Sequence, residues 1–175
     1  MTPELRERAR GVRLLVLDVD GVLTDGRLYY GDDGVEVKAF HIQDGLGLRM
    51  LMASGVQVAI ITGRASQAVA LRAENLGIAH VYQRVGDKLA AFESLLSRLG
   101  LNGAATAAMG DDLPDLSVLR RCGFAACVPE APLLVRRHAH YVTRRPGGAG
   151  AVREVCELLL AAQGTLEARV REYLK

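Results

Sequence analysis

The sequence lacks long hydrophobic runs. Every apolar stretch is interrupted by charged residues or glycine well before the roughly 20 positions that a bilayer-spanning helix needs. Residues 1–13 are charged and lack the apolar core of a secretory signal peptide, so we expect a cytoplasmic protein without membrane contact. Cysteine is scarce as well. Cys122, Cys127 and Cys156 match no zinc spacing, and we expect reduced thiols in the core.

An excess of charge of one sign is also absent. The formal net charge is +2, and the basic residues are scattered rather than interleaved with aromatic residues, which argues against a nucleic-acid partner. Half of the 175 residues are hydrophobic and about a quarter are charged. This composition and length predict one globular domain over residues 1–175 with a sizeable core.

Strand-like and helix-like patterns alternate along the chain and predict an α/β fold with a doubly wound parallel sheet. Two β-rich runs around an Asp-Gly turn predict a hairpin inserted over residues 27–40. Strands are predicted at 13–18, 56–61, 81–82, 104–109, 124–128 and 140–143, and helices at 45–54, 66–76, 87–99, 114–121, 131–138 and 151–162. Residues 1–12 are either a short helix or a frayed lead-in, and the charged residues 165–175 are helical or frayed.

The chain is organised around Asp18 and Asp20, which end the apolar run over residues 14–17. Such a run predicts a strand buried on both faces, and ligands of open α/β sheets bind beyond the carboxyl ends of the strands. The two aspartates are two positions apart in extended chain and therefore point to the same side. A solvated turn is the alternative, but a carboxylate directly behind four large apolar residues is desolvated unless a cation accompanies it. An EF-hand is excluded because Gly21 comes too early.

Three further groups of polar residues lie at predicted strand ends or helix starts. Thr62 follows the second buried strand, Lys88 opens a helix, and Asp111, Asp112 and Asp115 follow the strand at 104–109. Carboxylates from two strand ends suit Mg²⁺, which usually takes one or two carboxylates together with phosphate oxygens. A lysine and a hydroxyl can hold the remaining oxygens, so the set points to phosphoryl transfer.

In this order and at these structural positions, the four groups resemble the four motifs of the haloacid dehalogenase superfamily. The resemblance covers nearly the whole chain and implies a Rossmann-like core. It implies that Asp18 attacks phosphorus and forms an aspartyl-phosphate, and that Asp20 acts as general acid and then base. Thr62 and Lys88 would hold phosphoryl oxygens. Mg²⁺ would be bound by Asp18, by the backbone carbonyl of Asp20 and by Asp111, with Asp112 and Asp115 behind these ligands or, alternatively, only favouring a helix dipole.

The spacing leaves no room for a cap domain, because only the hairpin and one helix separate Asp20 from Thr62. A capless enzyme acts on macromolecules or closes its site with another subunit. The matching segments outside the motifs are 18–26, 38–49, 60–64, 76–78 and 150–160. They resemble the tetrameric capless branch that acts on 3-deoxy-D-manno-octulosonate 8-phosphate. In that family the hairpin builds the oligomer core, and the glycine-rich segment, here 146–151, reaches a neighbouring subunit's site.

The same resemblance implies the residues that bind the sugar acid. His41, Ile42, Gln43, Asp44, Gly45 and Arg49 would line the sugar pocket, Asp20 and Lys88 would contact the substrate, and Arg64 and Arg72 would bring positive charge to its carboxylate. For Arg72 an exposed helix charge is an equal alternative. Phosphatases for nine-carbon sugar acids tend to carry glutamate at the place of Arg64, so arginine favours the eight-carbon substrate.

The expected function is therefore a Mg²⁺-dependent phosphatase of lipopolysaccharide precursor synthesis, with a sugar-acid phosphate as substrate and a homotetramer as assembly. Three alternatives stay open: a phosphatase for a nine-carbon sugar acid, a non-catalytic module of the same fold, and a capless phosphatase for protein or polynucleotide ends. Two positions depart from the family. Ala149 stands where arginine is frequent in the glycine-rich segment, and Arg84 stands where glycine is frequent.

Overall fold

The computed structural model describes all 175 residues, which form a six-stranded sheet, a separate hairpin and eight α-helices. The strands are β1 (Leu14–Leu17), β2 (Tyr29–Tyr30), β3 (Glu36–Val37), β4 (Gln57–Ile61), β5 (His80–Tyr82), β6 (Thr106–Gly110), β7 (Phe124–Cys127) and β8 (Tyr141–Val142). The helices are α1 (Pro3–Arg10), α2 (Ile42–Ala53), α3 (Gln67–Leu76), α4 (Lys88–Leu99), α5 (Leu116–Leu119), α6 (Leu133–Arg136), α7 (Ala151–Ala162) and α8 (Leu166–Arg171). Short 3₁₀ helices span Gly103–Ala105 and Leu113–Asp115. None of these helices has the length and apolar character that crossing a membrane requires.

The large sheet confirms the predicted fold class. Its strand order is β5-β4-β1-β6-β7-β8, and every neighbouring pair is parallel. The strand β1 lies between β4 and β6, with Leu14 paired to both Gln57 and Thr106. All four residues of β1 are buried, as expected of an apolar run covered on both faces. The carboxyl ends of β1, β4 and β6 consequently meet at one edge of the sheet.

The helices cover a core of 43 buried hydrophobic residues. The helix α2 packs against α7, and α7 also packs against α1. The helices α3 and α4 end at the predicted residues 76 and 99, and Gly77 and Gly100 after them adopt the left-handed conformation of a C-terminal cap. The buried residues of α7 recur at helical spacing, and its bounds coincide with the predicted 151–162.

Some element boundaries differ from the predictions. The helix α2 begins at Ile42 rather than at residue 45, because the sequence Gln43-Asp44-Gly45, which resembles a turn, is already helical. In the hairpin, only Tyr29–Tyr30 and Glu36–Val37 pair, since a two-stranded ribbon exposed to solvent has little to stabilise longer strands. The helix predicted at 114–121 is divided, because the Asp115 side chain turns back to backbone amides and closes a 3₁₀ turn before α5.

Candidate active site

A polar cleft of about 740 Å³ opens at the sheet edge where β1, β4 and β6 end. It is lined by the residues predicted to carry the chemistry: Asp18, Asp20, Thr62, Arg64, Lys88, Asp111, Asp112 and Asp115. Asp18 and Asp111 follow β1 and β6 directly, and Thr62 follows β4. Backbone bonds from the Thr62 amide to Tyr82 and from the Val85 amide to Thr62 hold this threonine in place. The parallel sheet therefore brings together residues that are far apart in sequence.

Lys88 is buried between two carboxylates at the bottom of the cleft. Its Nζ atom lies 3.0 Å from Asp18 Oδ1 and 2.6 Å from Asp115 Oδ1. Burial opposes the positive charge, but the charges of Asp18 and Asp115 outweigh it and raise the pKa of Lys88. The lysine is thus a fixed cation directly beside Asp18. Asp87 holds the start of α4 in place by accepting a hydrogen bond from the Ala90 amide.

Asp18, Asp111 and Asp115 place carboxylate oxygens within 4.8 Å of one another. Burial, followed by the charge of Asp115, raises the pKa of Asp18 to about 6. Burial and the neighbouring carboxylates of Asp115 and Asp18 raise the pKa of Asp111 to about 7. Negative charge is therefore crowded and poorly solvated at this point, which is the electrostatic condition that a divalent cation relieves. Oxygen ligands are those that Mg²⁺ prefers, so the residues present fit this metal.

The two oxygens of Asp115 already have partners. Oδ1 accepts from Lys88, and Oδ2 accepts from the backbone amides of Asp111 and Asp112 at 3.1 and 3.3 Å. Asp115 therefore orients the neighbouring loop and leaves Asp18 and Asp111 as the carboxylates free to bind a cation. Gly21, whose φ is 87°, leaves room for Asp111, because a side chain at this position would overlap the Asp111 carboxylate.

Asp112 lies at the exposed rim of the cleft. Its side chain accepts a hydrogen bond from the Leu113 amide at 2.8 Å and so caps the 3₁₀ helix. The carboxylate therefore stabilises the start of a helix, in line with the alternative role predicted for it from the sequence.

Asp20 and Arg64 face the cleft and are linked by the hairpin. Lys38 donates a hydrogen bond to Asp20 Oδ1, while Arg64 Nε lies 3.8 Å from Asp20 Oδ2. Arg64 also donates to the Tyr30 hydroxyl and to Glu36 Oε2, both at 3.2 Å. The sequence predicts an interface role for Tyr30, on the hairpin, but no contact of Tyr30, Glu36 or Lys38 with the site residues. The available signal was the strand alternation, which places Glu36 and Lys38 on one side of the hairpin.

The remaining predicted sugar-acid residues do not line this cleft within one chain. Arg72 Nη2 donates to the His41 carbonyl at 3.3 Å, and its guanidinium lies 5.9 Å from the centre of the Phe40 ring. Gly45 permits this approach, because a side chain there would overlap Arg72 Nη2. Arg49 is exposed and donates to the Asn75 carbonyl at the end of α3. Ile42 and Gln43 are exposed on the first turn of α2. These residues form a second group, which includes His41 and lies beside α2 and α3.

Asp44 belongs to this second group by position, but its carboxylate is turned inward and is only 1% exposed. It accepts hydrogen bonds from the backbone amides of Arg153, at 2.7 Å, and Gly150, at 3.3 Å. Burial raises its pKa despite these bonds. Asp44 therefore ties the start of α2 to the start of α7, where unpaired amides and the helix dipole favour a carboxylate.

The glycine-rich segment over residues 146–151 packs on the loop behind Asp20. The Gly148 amide donates to the Val22 carbonyl at 3.0 Å. A side chain at Gly147 would overlap the Gly21 carbonyl oxygen, and one at Gly148 would overlap the Thr24 backbone. Ala149 lines a neighbouring cleft of about 480 Å³ that also touches Asp111. The segment thus supports the catalytic loop of its own chain.

Arg84 lies beside the cleft in the left-handed region, with φ 57°, and is the only residue other than glycine with a positive φ. Glycine adopts this conformation without strain, which explains why glycine is frequent at this position in the family. The amide of Arg84 donates to the Arg64 carbonyl at 3.3 Å, so the strained residue sits directly against the loop that carries Arg64.

Comparisons with known proteins agree with this geometry. Residues 75–154 match the family described as haloacid dehalogenase-like hydrolase. The chain is 49% identical over 168 residues to the 3-deoxy-D-manno-octulosonate 8-phosphate phosphatase KdsC of Salmonella typhimurium, covering 95% of this chain and 89% of the relative. It is 51% identical to KdsC of Escherichia coli, with 91% and 85% covered. A crystal structure of the phosphatase of the same name from Moraxella catarrhalis, in complex with magnesium, phosphate and KDO, superposes with a TM-score of 0.97 at 45% identity and 99% coverage of both chains.

Proposed function

This chain belongs to the 3-deoxy-D-manno-octulosonate 8-phosphate phosphatases of the haloacid dehalogenase superfamily, and from this premise we propose how its own residues perform the reaction. The protein is a Mg²⁺-dependent phosphoric monoester hydrolase that acts in lipopolysaccharide precursor synthesis. The observation that carries the proposal is the arrangement of Asp18, Thr62 and Asp111 at the ends of three neighbouring strands, with Lys88 and Asp20 on the same cleft.

The metal ligands would be the carboxylates of Asp18 and Asp111 and the backbone carbonyl of Asp20. Once bound, Mg²⁺ neutralises phosphoryl charge and lowers the repulsion between the substrate and the carboxylates. Lys88 and the Thr62 hydroxyl would hold the other phosphoryl oxygens. Because Lys88 is fixed by Asp115, its charge is in place before the substrate binds, as electrostatic preorganisation requires.

The reaction proceeds in two displacements at phosphorus. An oxygen of Asp18 attacks phosphorus, and the bond from phosphorus to the sugar oxygen breaks with its electron pair moving to that oxygen. The carboxyl group of Asp20 gives this oxygen its proton, so the sugar acid leaves as an alcohol. Water then attacks the aspartyl-phosphate, and the Asp20 carboxylate takes the proton from water. The bond between phosphorus and Asp18 breaks, which releases phosphate and restores both aspartates.

Arg64 is the proposed partner of the substrate carboxylate. Its side chain is 44% exposed, and Tyr30 and Glu36 hold one nitrogen of the guanidinium, so further donors are available toward the cleft. A guanidinium binds a carboxylate through paired hydrogen bonds. We also retain Arg49, Arg72 and residues 41–45 as sugar-acid residues. Since they do not share a cleft with Asp18 in one chain, they can only complete a site from another subunit or after movement of the first turn of α2.

The separation of these sugar-acid residues from the catalytic cleft supports the proposed homotetramer. The hairpin exposes a row of large apolar side chains, Leu28, Tyr29, Tyr30, Val35 and Val37, as expected of a surface that another subunit covers. The catalytic cleft is open, and polar side chains and glycine form nearly all of its lining. A covering subunit would exclude water from a small substrate. In the glycine-rich segment, Gly147 is buried within its own chain. Pro146, the first residue of the segment, is exposed and is therefore the residue that we propose contacts a neighbouring subunit. We further propose that the chain acts as one domain in the cytoplasm.

The test is phosphate release with Mg²⁺ from a panel of four substrates: the eight-carbon 3-deoxy sugar-acid phosphate, nine-carbon sugar-acid phosphates, a hexose phosphate and a phosphopeptide. A hundredfold preference in kcat/KM for the eight-carbon ester, about 2.7 kcal/mol of transition-state discrimination, is the expected result. A preference for another member of the panel would replace the substrate assignment. No release from any member would leave a non-catalytic module.

The nucleophile is tested separately with Asp18→Asn, which should abolish turnover and leave the thermal unfolding temperature within a few degrees. The matched control is Asp32→Asn, the same chemical change at an exposed turn of the hairpin. Retained turnover in Asp18→Asn would refute the assignment of the nucleophile.

A further inference from the structure

Lys38 is a buried cation that the proposed steps leave without a role. It directly follows β3, and only 2% of its side chain is exposed. Its ammonium donates to Asp20 Oδ1 and lies 2.7 Å from Glu36 Oε1. Burial opposes its charge, but the hydrogen bonds to these two carboxylates outweigh burial and raise the pKa of Lys38. A lysine is therefore held, fully charged, against the residue assigned to proton transfer.

A solely stabilising role is a weak explanation for this arrangement. An ammonium removed from water loses hydration that ion pairs only partly restore, and apolar residues of similar size often replace buried ion pairs without loss of stability. The hairpin has few buried contacts that such a pair could reinforce, because the side chains of β2 are exposed and those of β3 are intermediate or exposed. The partner of Lys38 is in the catalytic cleft, which suggests a role there.

The hydrogen bonds of Asp20 divide its two oxygens. Oδ1 accepts from Lys38, whereas Oδ2 accepts no hydrogen bond and lies 3.8 Å from Arg64 Nε. In the neutral carboxyl group, an oxygen that accepts from an ammonium is the carbonyl oxygen, so the proton is carried by the other one. In the ionised carboxylate, the same contact restricts rotation about the side-chain bonds of Asp20. Both protonation states are therefore compatible with one fixed position of Oδ2.

We propose that Lys38 is a positioning residue that binds Oδ1 of Asp20 and thereby presents Oδ2 to the leaving oxygen of the substrate. Glu36 also contacts the ammonium, through Oε1, and through Oε2 it holds Arg64. The hairpin would then align the proton donor with the arginine proposed for the sugar acid. This inference rests on the proposed function, because it assigns a role to Lys38 only if Asp20 protonates a leaving group.

The experiment compares two substrates that differ in their need for a proton. A sugar alkoxide leaves only with protonation, whereas the nitrophenolate of p-nitrophenyl phosphate leaves without it at neutral pH. The ratio kcat/KM includes steps only through departure of the leaving group, so it isolates this proton transfer from the later attack of water. For Lys38→Met we expect kcat/KM for the sugar-acid phosphate to fall about 10- to 100-fold, within the range that general acid catalysis contributes. For p-nitrophenyl phosphate we expect a fall of less than about threefold.

Two further variants control for loss of fold and for disturbance of Arg64. Lys38→Gln keeps a hydrogen-bond donor of similar reach but has no charge. It should show the same selective loss, smaller in size, and it provides the test if Lys38→Met does not fold. Tyr30→Phe removes the hydroxyl that contacts Arg64 and leaves the Lys38 contact intact, so any fall in its ratio measures what disturbance of Arg64 alone costs. The selective loss in Lys38→Met should exceed that fall, and a loss no greater than it would overturn the role of Lys38.

An equal loss on both substrates, or no loss on either, would overturn the role of Lys38 while leaving the phosphatase assignment untouched. A wild-type protein that hydrolyses neither substrate would instead contradict the proposed function itself. The two failures are therefore distinguishable.

Discussion

In the absence of Mg²⁺, the free energy of unfolding should be larger at mildly acidic pH than at alkaline pH. Without metal, burial and neighbouring carboxylates raise the pKa of Asp18 to about 6 and that of Asp111 to about 7. In the unfolded chain both groups titrate at about 3.9. Between these limits the folded protein binds more protons than the unfolded one, so lowering the pH increases the free energy of unfolding.

The magnitude follows from these two values. From pH 8 to pH 6, a group with a folded pKa of about 7 contributes about 1.4 kcal/mol, and one with a folded pKa of about 6 contributes about 0.4 kcal/mol. Because the two carboxylates interact, we expect a total of about 1–2 kcal/mol. Saturating Mg²⁺ binds the ionised carboxylates and stabilises the folded state most at alkaline pH. Mg²⁺ should therefore reduce or reverse the dependence of the free energy of unfolding on pH.

The assay is urea unfolding at pH 6 and pH 8 in the presence of a chelator, repeated with excess Mg²⁺. The matched variant is Asp111→Asn, which removes the main titrating group, and comparison with it cancels the other ionisable residues. We expect the variant to lose most of the pH difference. An identical pH dependence in the two metal-free proteins, or a wild-type stability that falls as the pH is lowered, would refute the reasoning.

Three further predictions concern stability and the catalytic loop. Asp44→Ala should lower the free energy of unfolding by about 2–3 kcal/mol, because it leaves the two backbone amides at the start of α7 without their acceptor, whereas Asp44→Asn should lose about 1 kcal/mol. Urea unfolding measures both, and a loss below about 0.5 kcal/mol for alanine would contradict the bonds described. Gly147→Ala should cost about 1–3 kcal/mol and lower kcat, since its methyl group displaces the loop at Gly21; unchanged kcat would disprove the coupling. Arg84→Gly should raise stability by about 0.5–1 kcal/mol, measured as a higher melting temperature, and a lower one would show that the left-handed backbone is not strained.

The sheet and the cleft could be predicted because one physical rule governs both. Apolar runs of four or five residues that end in polar residues predict buried parallel strands, and the carboxyl ends of such strands share an edge. Asp18, Thr62 and Asp111 therefore met in the cleft as expected. The bounds of α7 were equally accessible, since Gly150 precedes a regular amphipathic pattern.

The contacts between side chains distant in sequence could not be predicted. Nothing in the local pattern indicates that Lys38 reaches Asp20 or that Asp44 points away from solvent toward α7. The start of α2 was misplaced for a related reason, because Gly45 indicates a turn by composition but is required here by the approach of Arg72. Such requirements arise from packing between elements and are absent from the local sequence.

The packing of Gly147 and Gly148 on the loop behind Asp20 has a consequence for synthesis in the cell. The loop at Gly21 is made well before Gly147 and Gly148, which support it. A partly synthesised chain therefore has Asp18 and Asp20 but not the segment that holds their loop in place. Contacts between such distant parts of a chain also form late and slowly in folding. The nascent protein should thus acquire its activity only once this segment has been made, and products truncated before it should not hydrolyse phosphate esters.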